Sequence, residues 1–190
     1  MFIASMYSFG RHDYRVGVDG IVTCMAVFLS YGGRLYAIHV PADNNRDLGW
    51  MTFVDYVRQQ EPNFNGANAR LWCVTNNNQR PNADVELTRY ARELGVRHPV
   101  HVRLINNLGA QGMPNAAAIL CHFLPDGRGP VLSYRQHAEG MWQAGLGTRR
   151  AGHYHNAALP ANLGIPVAGL ANGWHLVNAT NSDLMQLTVH

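Results

Sequence analysis

A thiol at Cys24 and an imidazole at His39 lie on either side of a glycine pair, Gly32 and Gly33. A thiolate is a strong nucleophile, and an imidazole beside it can take the thiol proton and later return one to a leaving group. Together they form a minimal kit for acyl transfer through a thioester, so the chemistry in view is cysteine-dependent attack on a carbonyl or carboxamide. Residues 22–31 and 34–40 are rich in Val, Phe, Leu, Tyr and Ile, which predicts a β-hairpin closed by a two-residue primed turn. With the glycines as the turn, Tyr31 faces Arg34 and pairing runs outward to Ala26 opposite His39. Cys24 stands two residues from Ala26 and points to the same face. Cys24 and His39 are then diagonal neighbours with backbones roughly 7–8 Å apart. A slip of one residue would send them to opposite faces. Pro41 falls opposite Cys24 and cannot donate to the ladder, so pairing should fray there and open a mouth beside the thiol. The competing reading is a buried structural cysteine near a core histidine.

The rest of the chain must hold that hairpin. At 190 residues with 47% hydrophobic and 14% charged residues, the composition is that of a single globular domain with a real core. The net charge of +3 is mild and the basic residues are scattered, which argues against a nucleic-acid groove or a membrane-binding patch. All 15 basic residues are arginine. A high-GC genome produces that bias, and so does selection against ubiquitin acceptor sites in a protein working inside a eukaryotic cell. Three cysteines, Cys24, Cys73 and Cys121, without a CxxC pair speak against a disulfide scaffold or a structural zinc site. No Sec-type signal and no membrane-length apolar run is visible. The expectation is a protein made in a reducing cytosol, with export left to a dedicated secretion machine.

Trp50, Phe53, Val54 and Val57 fall at helical spacing before Pro62. Residues 69–75 read as a strand and 76–80 as a polar loop. A second helix opens at Pro81 and Asn82, buries Leu87, Tyr90, Ala91 and Leu94, and is capped by Gly95. Strands follow at 100–105, 116–124 and 130–134, the last two as a hairpin around Asp126 and Gly127, with a glycine-containing loop at 106–114. From His137 the texture becomes rich in Gly, Ala and Asn, with late strands expected at 174–180 and 184–189. The expectation is one α+β domain over 1–190, with a core of about 16–135 and a C-terminal extension, 136–190, packing on it.

The hairpin residues Val22-Thr-Cys-Met-Ala-Val-Phe-Leu and Gly33-Arg-Leu-Tyr-Ala-Ile-His-Val-Pro resemble the nucleophile hairpin of the CheD-like chemoreceptor glutamine deamidases. The catalytic domains of the cytotoxic necrotizing factor toxins are similar there. The helix from Asn82 to Gly95, the following strand, the loop with Gly109 and Gly112 and the final hairpin continue the likeness in element order over about two thirds of the chain. The resemblance implies mostly antiparallel, sandwich-like sheets flanked by helices, and glutamine deamidation by Cys24 as nucleophile with His39 as general base and acid. No cofactor and no metal is implied. Where CheD-like proteins carry Gly-Ser before the cysteine, this chain has Val22 and Thr23. The threonine that orients the histidine in CheD falls near Val18, which has no hydroxyl. The toxins use a main-chain carbonyl instead, so the Val18 backbone is the candidate orienter, with Asp19, Asp43 and Asn44 as side-chain candidates.

The expected substrate is a protein, either a host GTPase or other regulatory protein, or a chemoreceptor. The arginine-only composition and the extra tail favour a toxin-like bacterial effector delivered into a host cytosol; the alternative is a chemotaxis enzyme in the bacterial cytoplasm. A transglutaminase or other thiol acyl-transferase would use the same dyad, and a non-catalytic binding module would keep only its shape. Cys73 reads as a buried hydrophobe, and Cys121 and His122 face opposite ways on one strand. His153 and His155 lack a third ligand, and the Gly145, Gly147, Arg149 and Arg150 cluster lacks the strand-to-helix context of a phosphate loop.

Overall fold

The expected hairpin register is present residue for residue, from Tyr31 opposite Arg34 to Ala26 opposite His39 and Met25 opposite Val40. Gly32 and Gly33 carry φ of +57° and +76°, the left-handed values that a primed turn requires at both centres. The computed structural model describes residues 2–4, 7–76, 80–105, 116–124, 129–137, 155–156 and 174–189. In chain order the elements are β1 (Phe2–Ala4), β2 (Ser8–His12), β3 (Arg15–Ile21), β4 (Met25–Tyr31), β5 (Arg34–Val40), α1 (Arg46–Gln60) and, after a 3-10 turn (Gly66–Asn68), β6 (Arg70–Asn76). Then come α2 (Ala83–Leu94), β7 (Val100–Leu104), β8 (Ala116–Phe123), β9 (Pro130–His137), β10 (His155–Asn156), β11 (His175–Leu176) and β12 (Ser182–Gln186).

The protein is an α+β fold. Among the described residues a seven-stranded sheet runs β10-β2-β5-β4-β6-β7-β12, and a five-stranded sheet runs β1-β3-β8-β9-β11. Most pairs are antiparallel, but β6 and β7 are parallel, with α2 as the crossover that such a pair needs. The two faces of β4 explain the arrangement. Met25, Val27 and Leu29 join a core with Trp50, Phe53, Val57, Leu87 and Tyr90 from the helices. Ala26 and Phe28 join a second core with Val16, Val18, Ile119 and Cys121 of the other sheet. A strand covered on both faces reads as a continuous apolar run, as residues 25–29 do. The two helices are fastened to each other by the stacked rings of Trp50 and Tyr90, with centroids 4.2 Å apart, and by an ion pair between Asp47 and Arg89.

The strands of residues 2–21 were not legible in the sequence. Gly10, Gly17, Asp19 and Gly20 break their alternation, and burial between sheets keeps them extended. The tail strands enter both sheets: β12 pairs with β7 along five residue pairs, and β11 with β9.

Candidate active site

Cys24 immediately precedes β4, the strand paired along both edges by β5 and β6. Its side chain packs in the inter-sheet core with Ala26, Phe28, Leu35 and Ala37. On β5 the residues at 35, 37 and 39 share that face, so the register puts His39 on the same wall as Cys24. The ladder of β4 and β5 ends at Met25 and Val40, and Pro41 lies outside it. Both groups are enclosed, Cys24 being 6% exposed and His39 1%, and the open mouth expected beside the thiol is not seen among the described residues: the ladder does end there, but Pro41 itself is buried. The thiol lies one residue beneath the surface, since its neighbours Thr23 and Ala42 are exposed.

At the sulfur burial wins, and the thiol is held above its ordinary pKa. Burial pushes the Cys24 thiol up, while the Ala42 backbone N–H, the Arg80 charge and the Thr23 hydroxyl favour the thiolate, and Asp43 opposes it. Arg80 is the residue that sequence reasoning missed. The sequence places it at the end of the polar loop 76–80, yet its side chain is buried and turned inward. It donates to the carbonyls of Val40 at 3.2 Å and Pro41 at 3.0 Å, and pairs with Glu86 of α2 at 2.5 Å. Asn76 also turns inward, donating to the Ile21 carbonyl at 3.1 Å. That bond fastens the end of β6 to the segment leading into Cys24. The central residues of that loop, 77–79, and the glycine-containing loop expected at 106–114 lie outside the described residues.

Val18 is fully buried in β3, in the same apolar core as Cys24. A bulge follows it: Val18 pairs with Ile119, but Ile21 pairs with Ala117. Gly20, at φ +70°, accommodates the extra residue, and its N–H donates to Asp19 Oδ1 at 2.6 Å. Bulges re-aim a strand end, and this one turns the chain toward the thiol. Asp43 accepts from the Tyr7 hydroxyl and from the Asn45 N–H, and Asn44 is exposed. Burial would raise the Asp43 carboxyl, but Tyr7, Asn45 and Arg80 outweigh it and hold it below its usual value. Tyr7 itself, at φ +60°, occupies a backbone region that is strained for a non-glycine residue. Its phenol is pushed up to about 12, first by the bond to Asp43. No pattern in the sequence points to it.

On the opposite face of the sheet stands a second polar row. Thr75 Oγ1 lies 2.7 Å from His101 Nε2, and His101 Nδ1 contacts Asp84 Oδ1. The order is that of a nucleophile triad; Thr75 is buried, and the row ties Asp84 of α2 to β6 and β7. Burial holds the His101 pKa below its ordinary 6.5, against the pull of Asp84. The unfolded chain therefore binds more protons, and stability is complete above about pH 6.5 and lost as pH falls below it. His122 shifts the same way, through burial and then Arg15. Urea midpoints should fall between roughly pH 7 and 5, and His101→Gln should flatten that slope without removing it.

Cys73 and Cys121 are buried in the two cores with thiols pushed far up by burial. His155 pairs in β10 with Ser8, while His153 and the cluster at 145–150 lie outside the described residues. Among the described residues, no three His, Cys, Asp or Glu side chains are placed to hold a metal ion. No helix among them is long and apolar enough to cross a membrane. No protein-family model matches this chain, and no curated protein matches its sequence.

The site thus combines a thiol, an imidazole on the same wall, a backbone N–H aimed at the sulfur and a buried guanidinium. These are the group types that thioester chemistry uses.

Proposed function

We propose that this protein is a cysteine-dependent glutamine deamidase acting on another protein. The observation that carries the reading is the hairpin register that sets Cys24 and His39 on one face at the end of a ladder. In the reaction, His39 takes the thiol proton and Sγ attacks the side-chain carboxamide carbon of a glutamine. The tetrahedral oxyanion is stabilised by backbone N–H groups next to the nucleophile. The protonated imidazole donates to the departing ammonia, leaving a thioester. Water, deprotonated by the same imidazole, then attacks the thioester; the product is glutamate and the thiol is restored. Glutamine suits the architecture, because its unbranched stem can reach a thiol one residue below the surface.

The likeness of the hairpin to CheD-like deamidases and necrotizing factors supports the same chemistry. We take the protein to be a bacterial effector that modifies a host regulatory protein, small GTPases first among the candidates. The absence of lysine fits a life among host ubiquitin ligases.

The test is mass spectrometry of a host lysate and of purified GTPases incubated with the protein. Conversion of a defined glutamine to glutamate is the expected result. Absence of any such conversion across the lysate would overturn the reading. Addition of primary amines distinguishes the related chemistry: amine incorporation in place of glutamate would identify a transglutaminase.

A further inference from the structure

We propose that Arg80 is the positioning residue of the Cys24 site: anchored by Glu86, it fixes the chain leaving β5 so that the Ala42 N–H meets the sulfur, and it sets a positive charge beside the thiolate. This rests on Cys24 being the working nucleophile.

A continuous row of contacts leads from α2 to the end of the hairpin ladder. Glu86, in the first turn of α2, accepts from Arg80 Nη2 at 2.5 Å and from Nε at 3.4 Å. The two bonds orient the guanidinium plane, as a fork-to-fork pair does. Nη1 then donates to two successive carbonyls, Val40 at 3.2 Å and Pro41 at 3.0 Å. These flank the point where the β4–β5 ladder stops, and the next residue, Ala42, supplies the N–H that bonds Cys24. Pro41 has no N–H to hold its own segment in the sheet, so Arg80 does what the ladder no longer can. The charged and titratable groups that act on the sulfur are Arg80, Asp43 and Tyr7, with Glu86 behind Arg80; His39 shares its wall through the hairpin register. Arg80 is the guanidinium among them, and a buried cation acts on a neighbouring thiolate with little screening. A lysine could carry the charge but could not hold two carbonyls and a carboxylate in one plane.

The test reads the thiol directly. Iodoacetamide alkylation of Cys24, followed by peptide mapping across a pH series, reports its apparent pKa; Cys73 and Cys121 serve as buried controls. Arg80→Met should raise that pKa by about one unit, which is about tenfold slower alkylation at neutral pH. Glu86→Gln keeps an amide oxygen to orient the guanidinium but removes the anion that offsets Arg80, and should shift the thiol the opposite way, with faster alkylation. Arg80→Lys should recover the charge effect on pKa while leaving turnover low. A purely structural clamp predicts that Arg80→Met and Glu86→Gln move the profile in the same direction, or only lower the melting temperature; either result overturns the proposal. If Arg80→Met does not fold, the sign of the Glu86→Gln shift decides alone. Opposite shifts in a protein that deamidates nothing would retain the role of Arg80 and discard the deamidase reading. Deamidation with an unmoved thiol profile would do the reverse.

Discussion

Cys24→Ala should abolish glutamine conversion while the domain stays folded, with a loss of about 1 kcal/mol, or roughly 2–4 °C in melting temperature. The substitution removes one sulfur from a site at the end of the sheet, where Thr23 and Ala42 are already exposed, and leaves every backbone hydrogen bond in place. His39→Gln keeps a polar group on the same wall and loses the imidazole's proton transfer, so turnover should fall roughly 10²- to 10⁴-fold. The two effects belong to one step and should not multiply in the double variant. Substrate turnover followed by mass spectrometry, beside circular dichroism melts, measures both. A Cys24→Ala protein that still converts glutamine would end the case for this nucleophile.

Gly66→Ala should be among the most damaging conservative changes in the molecule, though it lies far from the thiol in sequence. A methyl group at Gly66 would sit 1.9 Å from the Leu94 carbonyl oxygen and 2.5 Å from the Gly95 carbonyl carbon. These are backbone atoms at the end of α2, which closes with the Val96 N–H on the Ala91 carbonyl at 2.8 Å and Gly95 at φ +71°. Neither partner is a flexible side chain that could swing away. Relief requires the 3-10 turn and the helix end to part, which costs about 3 kcal/mol. Urea denaturation should show the midpoint falling with little change in slope, and the melting temperature dropping by roughly 6–12 °C. Gly33→Ala is the useful contrast: nothing lies within 4 Å of its missing methyl group, so only the strain of a positive φ is felt, about 1 kcal/mol.

The parts that sequence reasoning reached share a physical cause. The hairpin register was legible because two adjacent glycines pin the turn, and a period of two carries that register from Tyr31 to Met25. The end of α2 was legible because Gly95 is the residue a left-handed cap selects. Beyond such local signals, the reading fails where long-range contact decides. Arg80 looks like a solvated loop residue until Glu86, Val40 and Pro41 are brought to it from two directions. Thr75, Asp84 and His101 meet only because β6 and β7 run parallel beneath α2. Strand β3 hides behind Gly17, Asp19 and Gly20, and its bulge at 18–21 leaves no periodic mark. Tyr7 stands beside the site through a strained backbone that its sequence neighbours do not betray.

Cys24 sits at the end of a strand that is zipped to a neighbour along each border. Segments bound on both sides belong to the last units of a fold to open. Heat should therefore part the two strands of the hairpin late, and free the chain at Cys24, which lies beyond the last ladder pair of Met25 and Val40, before them.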